Sequence, residues 1–208
     1  MNYVAAAAAF ALAVLGMPDS RLPGALEAPG AAASDPAGRA PAPSADVFPD
    51  ARMRCGIGKP RLLAESWQAR PLILALVYGA CPETCTEFLG RLRDAAHAEG
   101  GLGSDYSIVV ASFLPTDRLE HVAHYATRLG LTNDPSWEFC AIDPRDLTGV
   151  LRAIVAAAAR AGPGHAFDHA TLAVAIKHGR VVQVISDGAL PASRLRKIRA
   201  EFRGAEPI

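Results

Sequence analysis

The sequence predicts a three-layer α/β/α sandwich around a mixed β-sheet, and three observations carry that expectation. Two apolar runs, "PLILALVY" at 71–78 and "YSIVVASF" at 106–113, have the length and unbroken hydrophobicity of strands buried on both faces. Between them lies an amphipathic helical pattern, so strand, helix and strand form a βαβ unit with the usual right-handed crossover. Further on, "ATLAVAIKHGRVVQVIS" reads as two strands around a tight turn at His178-Gly179, which adds an antiparallel hairpin to the sheet.

The other elements follow in order. Residues 84–98 predict a helix whose stripe is Phe88, Leu89, Leu92 and Ala96; it stops in "EGGLG", where glycine suits a left-handed cap. Those glycines follow a helix instead of joining a strand to one, so they are caps and not a phosphate loop. A second helix spans 116–130 up to Gly130, a short strand 137–142, and an alanine-rich helix 145–161. Residues 190–203 close the domain as a basic helix, whose "RLRKIR" face reads as solubilising. There are no internal repeats.

Composition narrows the function. The 208 residues hold 21 Lys+Arg and 21 Asp+Glu, a formal net charge of +0, which argues against a nucleic-acid binder. Residues 1–18, "MNYVAAAAAFALAVLGMP", contain an uncharged run of about 15 residues; a membrane span needs about 20, so the run suits an export signal or a short retained anchor. No Lys or Arg precedes it, and Ala11-Leu12-Ala13, the A-x-A-like site, falls inside it. Residues 19–54 are rich in Ala, Pro and Gly, with prolines 23, 29, 36, 41 and 43 interrupting any helix; the stretch reads as a flexible linker. The folded domain is expected over 55–208. Export to the periplasm, or to the outer face of the cytoplasmic membrane, makes an even count of four cysteines informative, because disulfides persist there.

Cys81 and Cys85 sit where the first buried strand turns into its helix, in "GACPETCTEF". Residues i and i+4 of a helix share a face about 6 Å apart along the axis, close enough for a disulfide after slight unwinding, or for two thiolates to hold one soft metal ion. A helix start also stabilises thiolates and lowers their pKa, moderated here by Glu83 and Glu87. The plainer alternative is a pair of inert core cysteines. Placement at the C-terminal end of a central strand favours function, since ligand and catalytic groups of open α/β sheets gather at that edge.

This pattern resembles the Sco/SenC family of thioredoxin-like proteins. The match rests on a strand, a Cys-Pro-x-x-Cys motif with three intervening residues, and an amphipathic helix, where ordinary thioredoxins have two intervening residues. "FDHATLAVAI" is similar to the family's D-H-x-T-like context before a hairpin strand and puts His169 in the histidine position, with Asp168 beside it. "VVASFLPTDRLEHVAHYATRLGL" and "PSWEFCAID" are similar to the stretch after the second strand and to a short Trp-containing strand. The likeness covers roughly residues 70–200. The family's aspartate before the proline is Leu114 here, and "CGIGKPRLLAESWQARP" is shorter and less regular than the usual extended hairpin, which marks a divergent member.

The resemblance implies a thioredoxin-like fold and one copper ion bound by Cys81, Cys85 and His169. Soft thiolates select Cu(I), and an imidazole makes the site tolerable to Cu(II) as well. Asp168 would orient the imidazole or cap a turn. The implied role is a copper metallochaperone for cytochrome c oxidase assembly, its partner the copper-site subunit of a respiratory oxidase, with a periplasmic thiol reductant or copper donor as a further partner. The alternative is a thiol–disulfide oxidoreductase that uses Cys81 and Cys85 to keep the oxidase's copper-site cysteines reduced. A third is a structural adaptor.

Cys55 and Cys140 lie outside the motif and either staple the domain or leave Cys140 as a core residue. His121 and His124, spaced i, i+3, read as a solvated helix face; His97 and His178 read as surface residues; His165 is an alternative imidazole.

Overall fold

A computed structural model of the chain describes residues 47–56, 59–81, 83–161, 172–185 and 192–204. A seven-stranded mixed sheet forms the middle layer, in the order β2-β1-β5-β4-β3-β6-β7. The strands are β1 (Arg52–Cys55), β2 (Arg61–Leu62), β3 (Leu72–Val77), β4 (Ser107–Ser112), β5 (Trp137–Ile142), β6 (Leu172–Lys177) and β7 (Arg180–Ile185). The helices are α1 (Leu63–Ala69), α2 (Thr84–Glu99), α3 (Leu119–Leu129), α4 (Pro144–Ala161) and α5 (Ala192–Arg203). No helix among the described residues is long and apolar enough to cross a membrane.

The continuous apolar run of β3 is explained by its place. All six of its residues are buried. It is parallel to β4 on one side and antiparallel to β6 on the other. Alternation sends Ile73, Ala75 and Val77 to one face, where α2 and α5 contribute Phe88, Leu89, Leu92, Leu195 and Ile198. Leu72, Leu74 and Leu76 point to the opposite face, against Leu63 and Trp67 of α1 and Val150 and Ile154 of α4. Fully burying each large aliphatic contributes about 1.5–3 kcal/mol, so the two layers hold the sheet rigidly between them.

The predicted hairpin forms as read: His178 (φ 49) and Gly179 (φ 75) both adopt left-handed backbone, as a two-residue turn between twisted strands requires. The linker boundary moves. β1 begins at Arg52, inside the stretch read as tether, and Phe48, Ala51 and Met53 are buried. Composition hid this because a few apolar residues among prolines suffice to dock on an existing core. Asp50 Oδ1 accepts the N–H groups of Ala51 and Ala64, each at 2.9 Å, and so caps the start of α1, which the sequence reading did not anticipate. The "less regular" segment 55–71 thus holds the last residue of β1, then β2 and α1.

Three parallel strands, β3, β4 and β5, end on one edge of the sheet. The loops after them carry Cys81, Asp117 and Asp143 respectively.

Candidate metal centre

Cys81 ends the turn after β3 and Cys85 lies in the first turn of α2; both are thiols, not joined in a disulfide. Cys85 is fully buried and Cys81 is 6% exposed, so Cys81 is the sulfur that a partner reaches first. The Cys81 N–H donates to the Tyr78 carbonyl at 3.1 Å, which folds the turn tightly over the end of the strand. Each thiol is in hydrogen-bonding reach of the other.

Burial pushes the Cys85 thiol up to about 12, and the neighbouring Cys81 thiol adds to the rise; a backbone hydrogen bond from Tyr78 and the Tyr125 hydroxyl oppose it. This reverses the expectation of a helix-start thiol lowered towards neutrality. The helix start favours charge on sulfur, but the apolar wall of Phe88, Leu89 and Val122 removes the water that would solvate it, and desolvation dominates. Cys85 therefore stays protonated near neutral pH unless a soft cation takes the place of its proton.

Two side chains missed by the sequence reading hold this turn. The Tyr125 hydroxyl, from the buried face of α3, lies 2.7 Å from the Tyr78 carbonyl oxygen and 2.7 Å from that of Cys81. It is also a hydrogen-bond partner of Cys85. Asp117 Oδ2 accepts the Gly79 N–H at 2.7 Å and the Ser112 hydroxyl, while its Oδ1 lies 3.3 Å from His121 Nδ1. In sequence Tyr125 is one more residue of an amphipathic stripe, and Asp117 looks like an ordinary acidic residue before a helix. The signal available was a polar-tipped aromatic on an otherwise apolar face, which needs a buried partner. Asp117 supplies a carboxylate to the loop in which Leu114 stands at the position of the family's aspartate.

The remaining sequence candidates divide. His121 is half exposed and His124 exposed, with the His124 ring edge-on to Tyr125. His97 and His178 are exposed. His169, Asp168, His165 and Pro82 lie outside the described residues. The register of β6 bears on His169: Leu172, three residues later in sequence, pairs with Leu76, five residues before Cys81.

Cys55 and Cys140 are opposed across β1 and β5 and form a disulfide, with Cα atoms 4.2 Å apart and a sequence separation of 85. With Glu138 they make a cluster of ligand-type atoms within 4.8 Å of one another, but the two sulfurs are bonded together and Glu138 is paired with Arg61. The basic face of α5 is engaged and not merely solvated: Arg196 pairs with Glu99, and Arg199 and Arg203 with Asp105. A cleft of about 550 Å³ opens beyond β4 and β5, lined by Arg54, Asp117, Arg118, Glu120 and Asp143 among others, and neither thiol lines it.

No family model matches the sequence, and no curated protein does. Solved structures do. A putative electron transfer protein from Aquifex aeolicus VF5 is 20% identical, with 78% of this chain and 95% of that one aligned at a TM-score of 0.64. Arabidopsis thaliana ScoI with copper bound is 15% identical over 76% of this chain and 98% of its own, at a TM-score of 0.56. Apo Sco1 from Thermus thermophilus is 20% identical over 75% and 91%, at 0.53. Likeness at these identities establishes a shared fold: the chain has the thioredoxin-like α/β architecture that these proteins have.

Proposed function

We propose that this chain is a divergent Sco/SenC-type copper carrier. It would take up one copper ion through Cys81, Cys85 and His169 outside the cytoplasm and deliver it to the copper-site subunit of a respiratory cytochrome c oxidase. Copper is its cargo, so no catalytic turnover is required. The single observation that carries the reading is the buried, unoxidised thiol pair at the end of β3, on a fold shared with Sco proteins, one of them copper-bound. Two soft donors with one sulfur near the surface suit an ion that arrives and leaves by ligand exchange.

Covalent reach supports the third ligand. His169 is joined to Leu172 by three residue steps, which span at most about 11 Å fully extended. Leu172 itself pairs with Leu76 near the end of β3, the strand that leads to Cys81. Export of the chain, and the presence of an oxidase partner there, belong to this proposal.

Anaerobic titration of the reduced protein with Cu(I) tests it. One equivalent is expected per chain, lost in Cys81→Ser with Cys85→Ser and weakened in His169→Ala. Stoichiometric binding that survives both cysteine substitutions would overturn the assignment. The thiol–disulfide oxidoreductase reading has one observation in its favour: Cys81, the more exposed sulfur, is placed to attack while the buried Cys85 resolves. His169 separates the two, because copper binding uses it and exchange does not. Restored oxidase assembly by His169→Ala in cells would favour the reductase.

A further inference from the structure

The Cys81 turn is short, sits at the protein surface and carries the sulfur that any partner must reach. Something has to keep it open, because two thiols at a helix start can also close on each other. The Tyr78 and Cys81 carbonyls bracket the turn, and both converge on one atom, the Tyr125 hydroxyl oxygen, at 2.7 Å. The tyrosine ring is 1% exposed and belongs to the apolar cluster that contains both cysteines, so it has no room to swing away. A hydroxyl has one proton, so it is shared among the two carbonyls and the neighbouring Cys85 sulfur, or alternates between them. Either way the turn is tied to α3, a different element from the one that holds Cys85.

We propose that Tyr125 is a positioning residue that holds the Cys81–Cys85 pair in its open, dithiol geometry, ready for metal capture. The inference deepens the copper-carrier reading and rests on it for the ligand, but not for the thiol pair itself. Closing the pair to a disulfide requires Cys81 Sγ to approach Cys85 Sγ, with two electrons and two protons passing to a disulfide oxidant such as oxidised glutathione. That approach moves the Cys81 backbone, and the hydroxyl must release the Cys81 carbonyl. Tyr125 thus opposes closure while leaving both sulfurs available to a soft ion that bridges them. Asp117 acts on the same turn from its other end, through the Gly79 N–H.

A second buried tyrosine supplies the control. Tyr106 is also fully buried in this cluster, but its hydroxyl has no hydrogen-bond partner among the described residues. The experiment compares Tyr125→Phe with Tyr106→Phe in two assays: equilibrium of the Cys81–Cys85 pair in a glutathione buffer, and Cu(I) affinity by competition with a chromophoric chelator. Tyr125→Phe is expected to shift the pair towards disulfide by roughly tenfold in equilibrium constant, about 30 mV for a two-electron couple. Its Cu(I) affinity is expected to fall by roughly 10- to 100-fold, as for other residues that orient metal ligands. Tyr106→Phe should leave both within twofold.

Equal effects of the two substitutions, or no shift in the thiol–disulfide equilibrium with Tyr125→Phe, would overturn the proposal. If wild-type protein takes up no Cu(I), the carrier reading fails, and the glutathione equilibrium still decides the role of Tyr125. Should Tyr125→Phe not fold, the wild-type protein answers by NMR: the Tyr125 hydroxyl proton should exchange slowly while the pair is reduced and faster once it is oxidised. Equal exchange in the two states overturns the inference.

Discussion

The two cysteine pairs of this chain lie on opposite faces of one sheet and have opposite chemistry. Cys55 and Cys140 face the layer of α1 and α4, and their sulfurs are joined. Cys81 and Cys85 belong to the layer that holds α2, α3 and α5, and theirs are not. The difference is one of backbone. Antiparallel register puts Cys55 directly across from Cys140, with Cα atoms 4.2 Å apart, so no rearrangement is needed to close the bond. Cys81 and Cys85 span a turn and a helix start, and the turn is held by Tyr125 and Asp117 through backbone groups that closure would disturb. A staple wants a rigid frame that already fits the bond; a carrier or exchange site wants a frame that resists it.

The largest effect expected from this contrast is a clean exchange of phenotypes. Replacing both Cys55 and Cys140 by Ala removes a link that closes a long loop, and should cost about 2–4 kcal/mol of unfolding free energy in urea while leaving Cu(I) uptake unchanged. Replacing Cys81 and Cys85 by Ser should abolish Cu(I) uptake and change stability far less. Loss of metal binding in the first double variant, with the protein still folded, would show that the two sites are not independent.

A smaller effect is expected at Gly79, where the open pair is held. A Cβ built there meets His121 Cβ at 2.8 Å and Asp117 Oδ1 at 2.9 Å, both closer than side chains pack. Gly79→Ala should therefore cost about 1–3 kcal/mol, and displace the carboxylate that anchors the turn. Gly56, beside the stapled Cys55, has open space around it, although its φ of 61 still favours glycine. Gly56→Ala should strain only the local backbone, by roughly 1 kcal/mol. Paired urea titrations with Cu(I) competition measure both. A copper affinity that Gly79→Ala leaves unchanged would argue that the Asp117 anchor is dispensable.

The two regions also differ in how far the sequence announced them. The thiol pair was legible because it interrupts a run of apolar strand with two cysteines at helical spacing, a local pattern that does not depend on the rest of the chain. β3, β4, β5, the hairpin and all but one of the helices were legible for the same reason, since periodicity is local. Cys55 and Cys140 were visible as residues, but their bond depends on a strand that the proline-rich composition concealed. Tyr125 and Asp117 were invisible as clamps because their partners are backbone atoms from a different segment, and backbone leaves no signature in the sequence. The raised pKa of Cys85 was missed for a related reason: the helix start is local and readable, but the burial that outweighs it is completed by residues such as Val122 that lie far away in sequence.

The smallest effect concerns the frame of the stapled pair and acid. Asp146, in the first turn of α4, accepts from both the backbone N–H and the guanidinium of Arg52 in β1, at 2.9 and 2.8 Å. These hydrogen bonds hold its carboxyl down to about 2, below the ordinary 3.8. A lowered folded-state pKa contributes stability that is fully present above about pH 4, and is lost as pH falls through 2. Solvent around this partly exposed pair keeps the contribution to at most about 1 kcal/mol. With the Cys55–Cys140 bond intact, β1 stays tethered to β5 even when Asp146 is protonated, so hydrogen exchange of β1 amides should rise only slightly between pH 4 and 2. Without the disulfide, the same interval should open β1 well before the strands β3 and β4, and Asp146→Asn should flatten that dependence. Uniform acid opening across all strands in the disulfide-free variant would mean that β1 is held by the core beneath it and not by these two links.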